Sequence, residues 1–375
     1  MHASGRGICR LLAAWRPEEV PILGTVCIID CSVYYMKKLR TAESVTEGHP
    51  DKMCDIISDS VLDACLEQDK DSRVACEVMI NSAGTAIVAG EITSKAEIDI
   101  EALVYGVYPT CNRVLIDVQQ QITALAATVA NGGANDQGIM VGYACDETPE
   151  LMPLPIVLAH RITKRLAEVR KSGLLPYLRA DGKAQVTLRG SSIDTVVVST
   201  QHDEHVSMET LREDILAHVL NVLPLTLQTT VLINRQAGRF ESSGDTGLTG
   251  RKIVMDAYGP QVPDGGGAFS GKDASKLDRS GAYMLRHIAK SIVASGRAKR
   301  CKIEAAYCIG VAEPVALNVE TFGTGNALDV EVYVRTFPLT PRGIVEYLGL
   351  QRPVYRQTAC YGHFGNETYL WEGLV

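Results

Sequence analysis

The feature that most constrains this chain is a unit of local structure that occurs three times. In the first unit, the apolar residues Met53, Ile56, Ile57, Val61, Leu62 and Leu66 recur at helical spacing, which predicts an amphipathic helix over 51–68. A strand pair follows over 73–80 and 86–92, then a helix over 96–105. The second unit repeats the order: a helix over 156–171 ended by Gly173, strands over 184–188 and 193–199, and a helix over 208–222 with Ser207 placed to cap it. The third has a helix over 280–295 ended by Gly296, strands over 301–309 and 315–321, and a helix near 341–350. The strand pairs begin near Arg73, Lys183 and Arg300, spacings of 110 and 117 residues, so the repeat is of domain size. The predicted class is α+β: three similar domains, each a small mixed sheet with helices on one face. The boundaries are drawn at 38–130, 131–241 and 242–375, after an extension at 1–37.

Charge narrows the functions available. The chain has 375 residues and a net charge of -7, which argues against general binding to nucleic acid or to an anionic membrane. An anionic ligand must therefore meet a local basic cluster. The 11 cysteines are odd in number and contain no CxxC pair, so they read as reduced thiols of a cytoplasmic protein, with Cys54 and Cys65 serving as small core residues. Residues 1–16 carry Arg6, Arg10 and Arg16 with no acid before Glu18, as a transit peptide would. The apolar stretch over 20–36 contains Asp30 and is short for a membrane span of ~20 residues. The segment reads as dispensable rather than as a targeting signal.

Three segments carry chemistry. Gly48-His49-Pro50-Asp51-Lys52 stands just before the first helix, with Glu43 to Glu47 as capping material. It sets His49 and Lys52 beside a helix N-terminus, which favours anions, while Asp51 offers a hard oxygen to Mg²⁺. Gly265-Gly266-Gly267-Ala268-Phe269-Ser270-Gly271-Lys272-Asp273 nearly spells a phosphate loop, but Asp273 replaces the hydroxyl residue and no suitable strand precedes it. Lys272, Lys276, Arg279, Asp273 and Asp278 supply cations for phosphate and carboxylates for metal. Gly247-Leu248-Thr249-Gly250-Arg251-Lys252 is a glycine-flanked basic pair, expected to lead into a strand over 253–255. Asp181-Gly182-Lys183, taken alone, is a solvated turn at a strand start. His202 reads as structural.

Taken together, these segments resemble the S-adenosylmethionine synthetase family from about Lys38 to Glu372. GHPDK at 48–52, GLTGRK at 247–252 and GGGAFSGKD at 265–273 are specific as an ordered set; VSTQH at 198–202, IGVAEP at 309–314 and YGHFG at 361–365 add to it. The resemblance implies a pseudo-threefold arrangement of the domains. It implies a homodimer or dimer of dimers with active sites at the interface, and synthesis of S-adenosylmethionine from ATP and L-methionine with two Mg²⁺ per site and K⁺. By motif, His49 would sit near the ribose O5′. Asp51 and Asp278 would hold Mg²⁺, and Glu77 K⁺. Glu91, Gln119, Asp245 and Lys276 would meet methionine. Asp181, Gly182, Lys183, Arg239, Phe240, Asp245 and Ala268 would contact ATP, and Arg251, Lys252, Lys272 and Lys276 would clamp the polyphosphate.

The chain departs from the family pattern at Gln119 to Leu125, at Asn135, in the shortened turn after Phe240 and at Asp264. These departures predict an intact polyphosphate half and an altered methionine gate, with weak synthesis. They also leave open a catalytically impaired family member that serves as a regulatory or scaffold subunit.

Overall fold

The computed structural model describes residues 38–120, 132–235, 240 and 245–374, all within the compact unit that begins at Lys38. The strands are β1 Leu39–Val45, β2 Arg73–Ile80, β3 Thr85–Thr93, β4 Arg113–Gln119, β5 Gly138–Cys145, β6 Leu178–Arg189, β7 Ser192–His202, β8 Thr230–Ile233, β9 Gly247–Leu248, β10 Arg300–Tyr307 and β11 Ala316–Glu320. The α-helices are α1 Pro50–Gln68, α2 Ile100–Val107, α3 Leu154–Lys171, α4 Met208–Asp214, α5 Ile253–Asp256, α6 Leu277–Ala294, α7 Ala327–Val334 and α8 Pro341–Leu348.

Among the described residues three sheets result, in strand orders β9-β2-β3-β4, β1-β6-β7-β8 and β5-β10-β11. Each is built on one of the hairpins read from the sequence. Each also takes a strand from another part of the chain. β1 stands before α1 and pairs with β6; β5 stands before α3 and pairs with β10; β9 stands before α6 and pairs with β2. The donation is cyclic, first third to second, second to third, third to first. All three donated strands pair antiparallel, and β3–β4 and β7–β8 add a parallel outer strand to two of the sheets. The expected threefold relation is thus written in the topology.

The helices cover one face of each sheet. α1 packs on β2, α3 on β1 and β6, and α6 on β5 and β10. β2 shows why: Val74, Cys76, Val78 and Ile80 are buried at period two, while Glu77 and Met79 on the opposite face are exposed. Cys54 and Cys65 are fully buried on α1, as small core residues should be. The described cysteines are free thiols.

Several local expectations change. Residues 253–255 form the helix α5, not a strand: Lys252 O accepts from both Met255 N and Asp256 N at 3.0 Å, and the edge of β2 is already paired at 247–248. α2 starts at Ile100 rather than 96, because Asp99 is its cap and accepts from Ala102 N at 2.9 Å. The helix expected over 208–222 is α-helical only to Asp214 and continues as a π turn and a 3-10 turn. Asp181-Gly182-Lys183 is no solvated turn; it lies inside β6 at a shift of register, with Asp181 buried.

Candidate active site

The site is built on the N-terminus of α1. The cap is His49 itself, not Ser44 or Thr46: its Nδ1 accepts from Asp51 N at 3.2 Å. An accepting Nδ1 places the proton of a neutral imidazole on Nε2, which remains a donor. The segment is anchored to β6 by Thr46, whose N–H donates to Gly182 O at 2.9 Å and whose Oγ1 donates to Ala180 O at 2.6 Å. Val45 is paired with Lys183 in the same sheet. Burial, then the charges of Lys252 and Lys183, push the His49 pKa down to about 3, so the ring is neutral at pH 7. The Lys183 ammonium also lies 5.9 Å from the centre of the Phe240 ring.

Asp51 ties this cap to the next segment. Its Oδ1 accepts from Leu248 N at 3.0 Å, its Oδ2 pairs with Lys252, and Arg251 Nε lies 3.8 Å from Oδ1. Burial opposes ionisation of Asp51, but Lys252 and the Leu248 N–H outweigh it and hold the carboxyl below the usual aspartate range. Lys52 points inward instead, to Asp55 at 2.9 Å and to Asp256. Burial and the Asp55 charge push Asp256 up to about 7 despite Lys52.

The glycine-rich segment reaches the same edge of β2, the edge opposite β3. Met79 and Ile80 pair with Leu248 and Gly247, and Ala75 forms a bridge with Lys272. Two basic segments, both far in sequence from β2, therefore lie side by side on that strand. Asp273 fixes the second: its carboxylate accepts from Val74 N at 2.7 Å and Ser275 N at 2.8 Å and pairs with Lys276 at 2.9 Å. Lys272 pairs with Asp278 at 2.6 Å. Ala268 lies against the Gly250 backbone, where an added Cβ would come within 2.6 Å of its methyl. Asp264 is spent on a local turn, accepting from Gly266 N at 2.9 Å.

The matches to known proteins cover this entire arrangement. Three family models fit in order: the S-adenosylmethionine synthetase N-terminal domain over residues 37–122, its central domain over 131–240 and its C-terminal domain over 240–373. The chain belongs to the S-adenosylmethionine synthetase family. It is 49% identical over 379 residues to the S-adenosylmethionine synthase of Thermus thermophilus, covering 89% of this chain and 95% of that protein. It is 47% identical over 391 residues to the S-adenosylmethionine synthase of Deinococcus deserti (90% and 96% covered), and 48% over 372 residues to that of Desulfosudis oleivorans (89% and 95%).

Not every residue that the S-adenosylmethionine synthetase resemblance singled out meets this cluster within one chain. Glu77 lies on the outward face of β2. Glu91 on β3 faces Gln119 on β4 in register, on that same side of the sheet. Among the described residues, no hydrogen bond or ion pair joins these three to the cations. Asp245 is exposed just before β9. Arg239 and most of the expected methionine gate, 121–131, lie outside the described residues.

Sequence reading missed a supporting layer: Asp55, Asp59, Asp256 and the pairing roles of Lys52 and Arg279. Arg279 and Asp59 are both fully buried and joined at 2.7 and 2.9 Å. A signal was available. Asp51, Asp55, Asp59 and Asp63 recur every four residues along α1, a spacing that sets all four along one side of the helix.

Proposed function

We propose that this chain joins ATP to L-methionine to form S-adenosylmethionine, and then cleaves the displaced triphosphate to pyrophosphate and phosphate. The observation that carries the reading is the convergence of Lys183, Arg251 and Lys252 on the His49–Asp51 cap, with Lys272 on the same edge of β2. A methionine sulfur lone pair forms the S–C5′ bond, and the C5′–O5′ bond breaks with its electron pair going to triphosphate. A thioether carries no proton, so no base is required. The protein's work is orientation and stabilisation of the leaving charge. His49 Nε2–H is a neutral donor for the leaving oxygen, and Arg251, Lys252, Lys272 and Lys183 spread along the phosphates. Lys276 and Asp245 stand at the methionine end, and Phe240 beside Lys183 at the adenine end, with Asp181, Gly182 and Arg239 completing the nucleotide contacts.

The acidic residues fit Mg²⁺ in a particular way. Asp51 and Asp278 already hold ammonium groups, Lys252 and Lys272, so both are carboxylates that bind cations. Mg²⁺ is commonly held by one or two carboxylates plus substrate phosphates, and two such ions would neutralise triphosphate charge here. Glu77 gives K⁺ a single carboxylate, and a facing subunit would have to provide further oxygens.

A homodimer, or a dimer of such dimers, is supported by the face of the β9-β2-β3-β4 sheet opposite α1. That face carries Met79 and Leu115, each 37% exposed, together with Glu77, Glu91 and Gln119. Packing two such faces together would bring a methionine-binding group from each chain toward a phosphate grip. The division into parts at 38–130, 131–241 and 242–375 and a cytoplasmic location complete the proposal. No helix among the described residues is long and apolar enough to cross a membrane. The scaffold alternative has no described contact in its favour.

The test is incubation with ATP, methionine, Mg²⁺ and K⁺ and detection of S-adenosylmethionine by mass. The expected outcome is methionine-dependent product, with pyrophosphate and phosphate formed alongside. Phosphate release that ignores methionine would overturn the reading.

A further inference from the structure

α1 acts as a ruler along which the two basic segments are spaced. Asp51, Asp55, Asp59 and Asp63 follow one another at four residues, about 6 Å of helix rise per step. Each accepts a backbone N–H from outside the helix, and the donors come from three stretches of chain. Asp51 takes Leu248 N at 3.0 Å, Asp55 takes Gly250 N at 2.8 Å, Asp59 takes Gly271 N at 2.8 Å, and Asp63 takes Tyr355 N at 3.0 Å and Arg356 N at 2.9 Å.

The two middle rungs are the same device used twice. Gly250 and Gly271 both have φ near +80°, at 79° and 80°, and each immediately precedes a cation of the phosphate grip, Arg251 or Lys272. Each glycine is flanked by hydrogen bonds to β2: Thr249 N donates to Val78 O at 3.0 Å, and Cys76 N donates to Gly271 O at 2.9 Å. A Cβ at position 271 would lie 1.9 Å from Cys76 O. Both aspartates are fully buried and are held by a cation of their own, Lys52 at 2.9 Å for Asp55 and Arg279 for Asp59. A charged acceptor on a backbone N–H makes a short, strong bond with a fixed direction. The backbone just before each cation is thus clamped between β2 and α1.

We infer that Asp55 and Asp59 are positioning residues for the reaction: they touch no substrate, and they set the separation of Arg251 and Lys272 to match one triphosphate. This rests on the reading of the site as a triphosphate grip. Asp63 supplies the internal comparison. It sits on the same helix and accepts the same kind of bond, but the turn it holds at 355–356 carries no proposed site residue.

The experiment measures inorganic tripolyphosphate affinity, the KM for ATP and thermal midpoint in the full chain for the wild type, Asp55→Ala, Asp59→Ala and Asp63→Ala. All three variants should lose thermal stability. Asp55→Ala and Asp59→Ala should weaken tripolyphosphate binding about tenfold or more and raise the KM for ATP, whereas Asp63→Ala should stay within about twofold. Should Asp55→Ala or Asp59→Ala fail to fold, Asp55→Asn against Asp63→Asn makes the same comparison. Equal effects at positions 55 and 63 would overturn the inference and leave the functional reading standing. A wild type that does not bind tripolyphosphate would overturn both.

Discussion

The ammonium of Lys272 lies 2.6 Å from Asp278 Oδ2, so the cation we propose for phosphate is already paired with the carboxylate we propose for metal. The same relation joins Lys252 to Asp51. On the proposed reading, the carboxylate of each pair would hold a metal ion and the ammonium would hold substrate phosphate. Asp278→Asn should separate the two effects. Without metal it should bind tripolyphosphate at least as tightly as the wild type, because Lys272 is released. With Mg²⁺ the concentration needed for half-maximal activity should rise about tenfold. Metal-free binding weakened by this substitution, followed by titration calorimetry, would contradict the exchange.

The pKa of His49 should rise when phosphate arrives. Burial and the nearby Lys252 and Lys183 charges keep it neutral in the free protein, with a pKa near 3. A polyanion beside the ring offsets those lysines and favours the imidazolium, so the pKa must rise on binding. Histidine NMR titrations with and without tripolyphosphate check this directly. His49→Asn should lower kcat by about 100-fold while changing the KM for methionine little, since the donor acts on the leaving oxygen.

Arg279 and Asp59 hold the glycine-rich segment from below. Both side chains are fully buried, and Arg279 also reaches Lys272 O at 3.1 Å and Thr358 Oγ1 at 3.2 Å. Arg279→Met leaves an uncompensated buried carboxylate and should destabilise the fold by about 3–5 kcal/mol. Urea denaturation measures the loss. A change below about 1 kcal/mol would mean that Asp59 finds another partner.

The buried His363 gives the protein an acid limit. Its ring is fully enclosed and its Nδ1 is 2.7 Å from Tyr283 Oη. Burial, then the charges of Arg279 and Lys52, hold its pKa well below the ordinary value. The folded chain keeps this ring neutral while the unfolded chain takes up a proton below about pH 6.5, so acid favours unfolding. Its contribution is intact above that pH and falls by about 1.4 kcal/mol for each further unit of acidification. His363→Asn should be less stable than the wild type at pH 7, and the gap should narrow at pH 5.

The repeat was legible because helix and strand periods are local signals: β2 runs over the predicted residues, and α1 and α3 differ from expectation only near their first turns. The donated strands were not legible. β9 has only two residues, and its pairing with Met79 and Ile80 spans more than half the distance from there to the end of the chain. Local pattern carries no trace of such a partner. The site divided in the same way. Charged residues in glycine-rich segments advertised themselves, as with Lys272 and Arg251. Asp55 and Asp59 did not stand out singly, because an aspartate on a helix ordinarily faces water; their one signal was the four-residue spacing, and only the tertiary fold buries them. His49 as its own helix cap was hidden for a similar reason: Ser44 and Thr46 were the better local candidates, and the fold used them to bind α3 and β6 instead.

Calorimetric titration of inorganic tripolyphosphate into the wild type, Lys183→Ala, Lys252→Ala and Lys272→Ala tests the central claim most directly. These lysines come from three separate segments that only the fold unites. The account predicts one class of site in the wild type and a loss of affinity of about tenfold or more in every variant. Wild-type affinity retained after loss of any one of these lysines would show that its segment does not share the ligand, and would contradict the account.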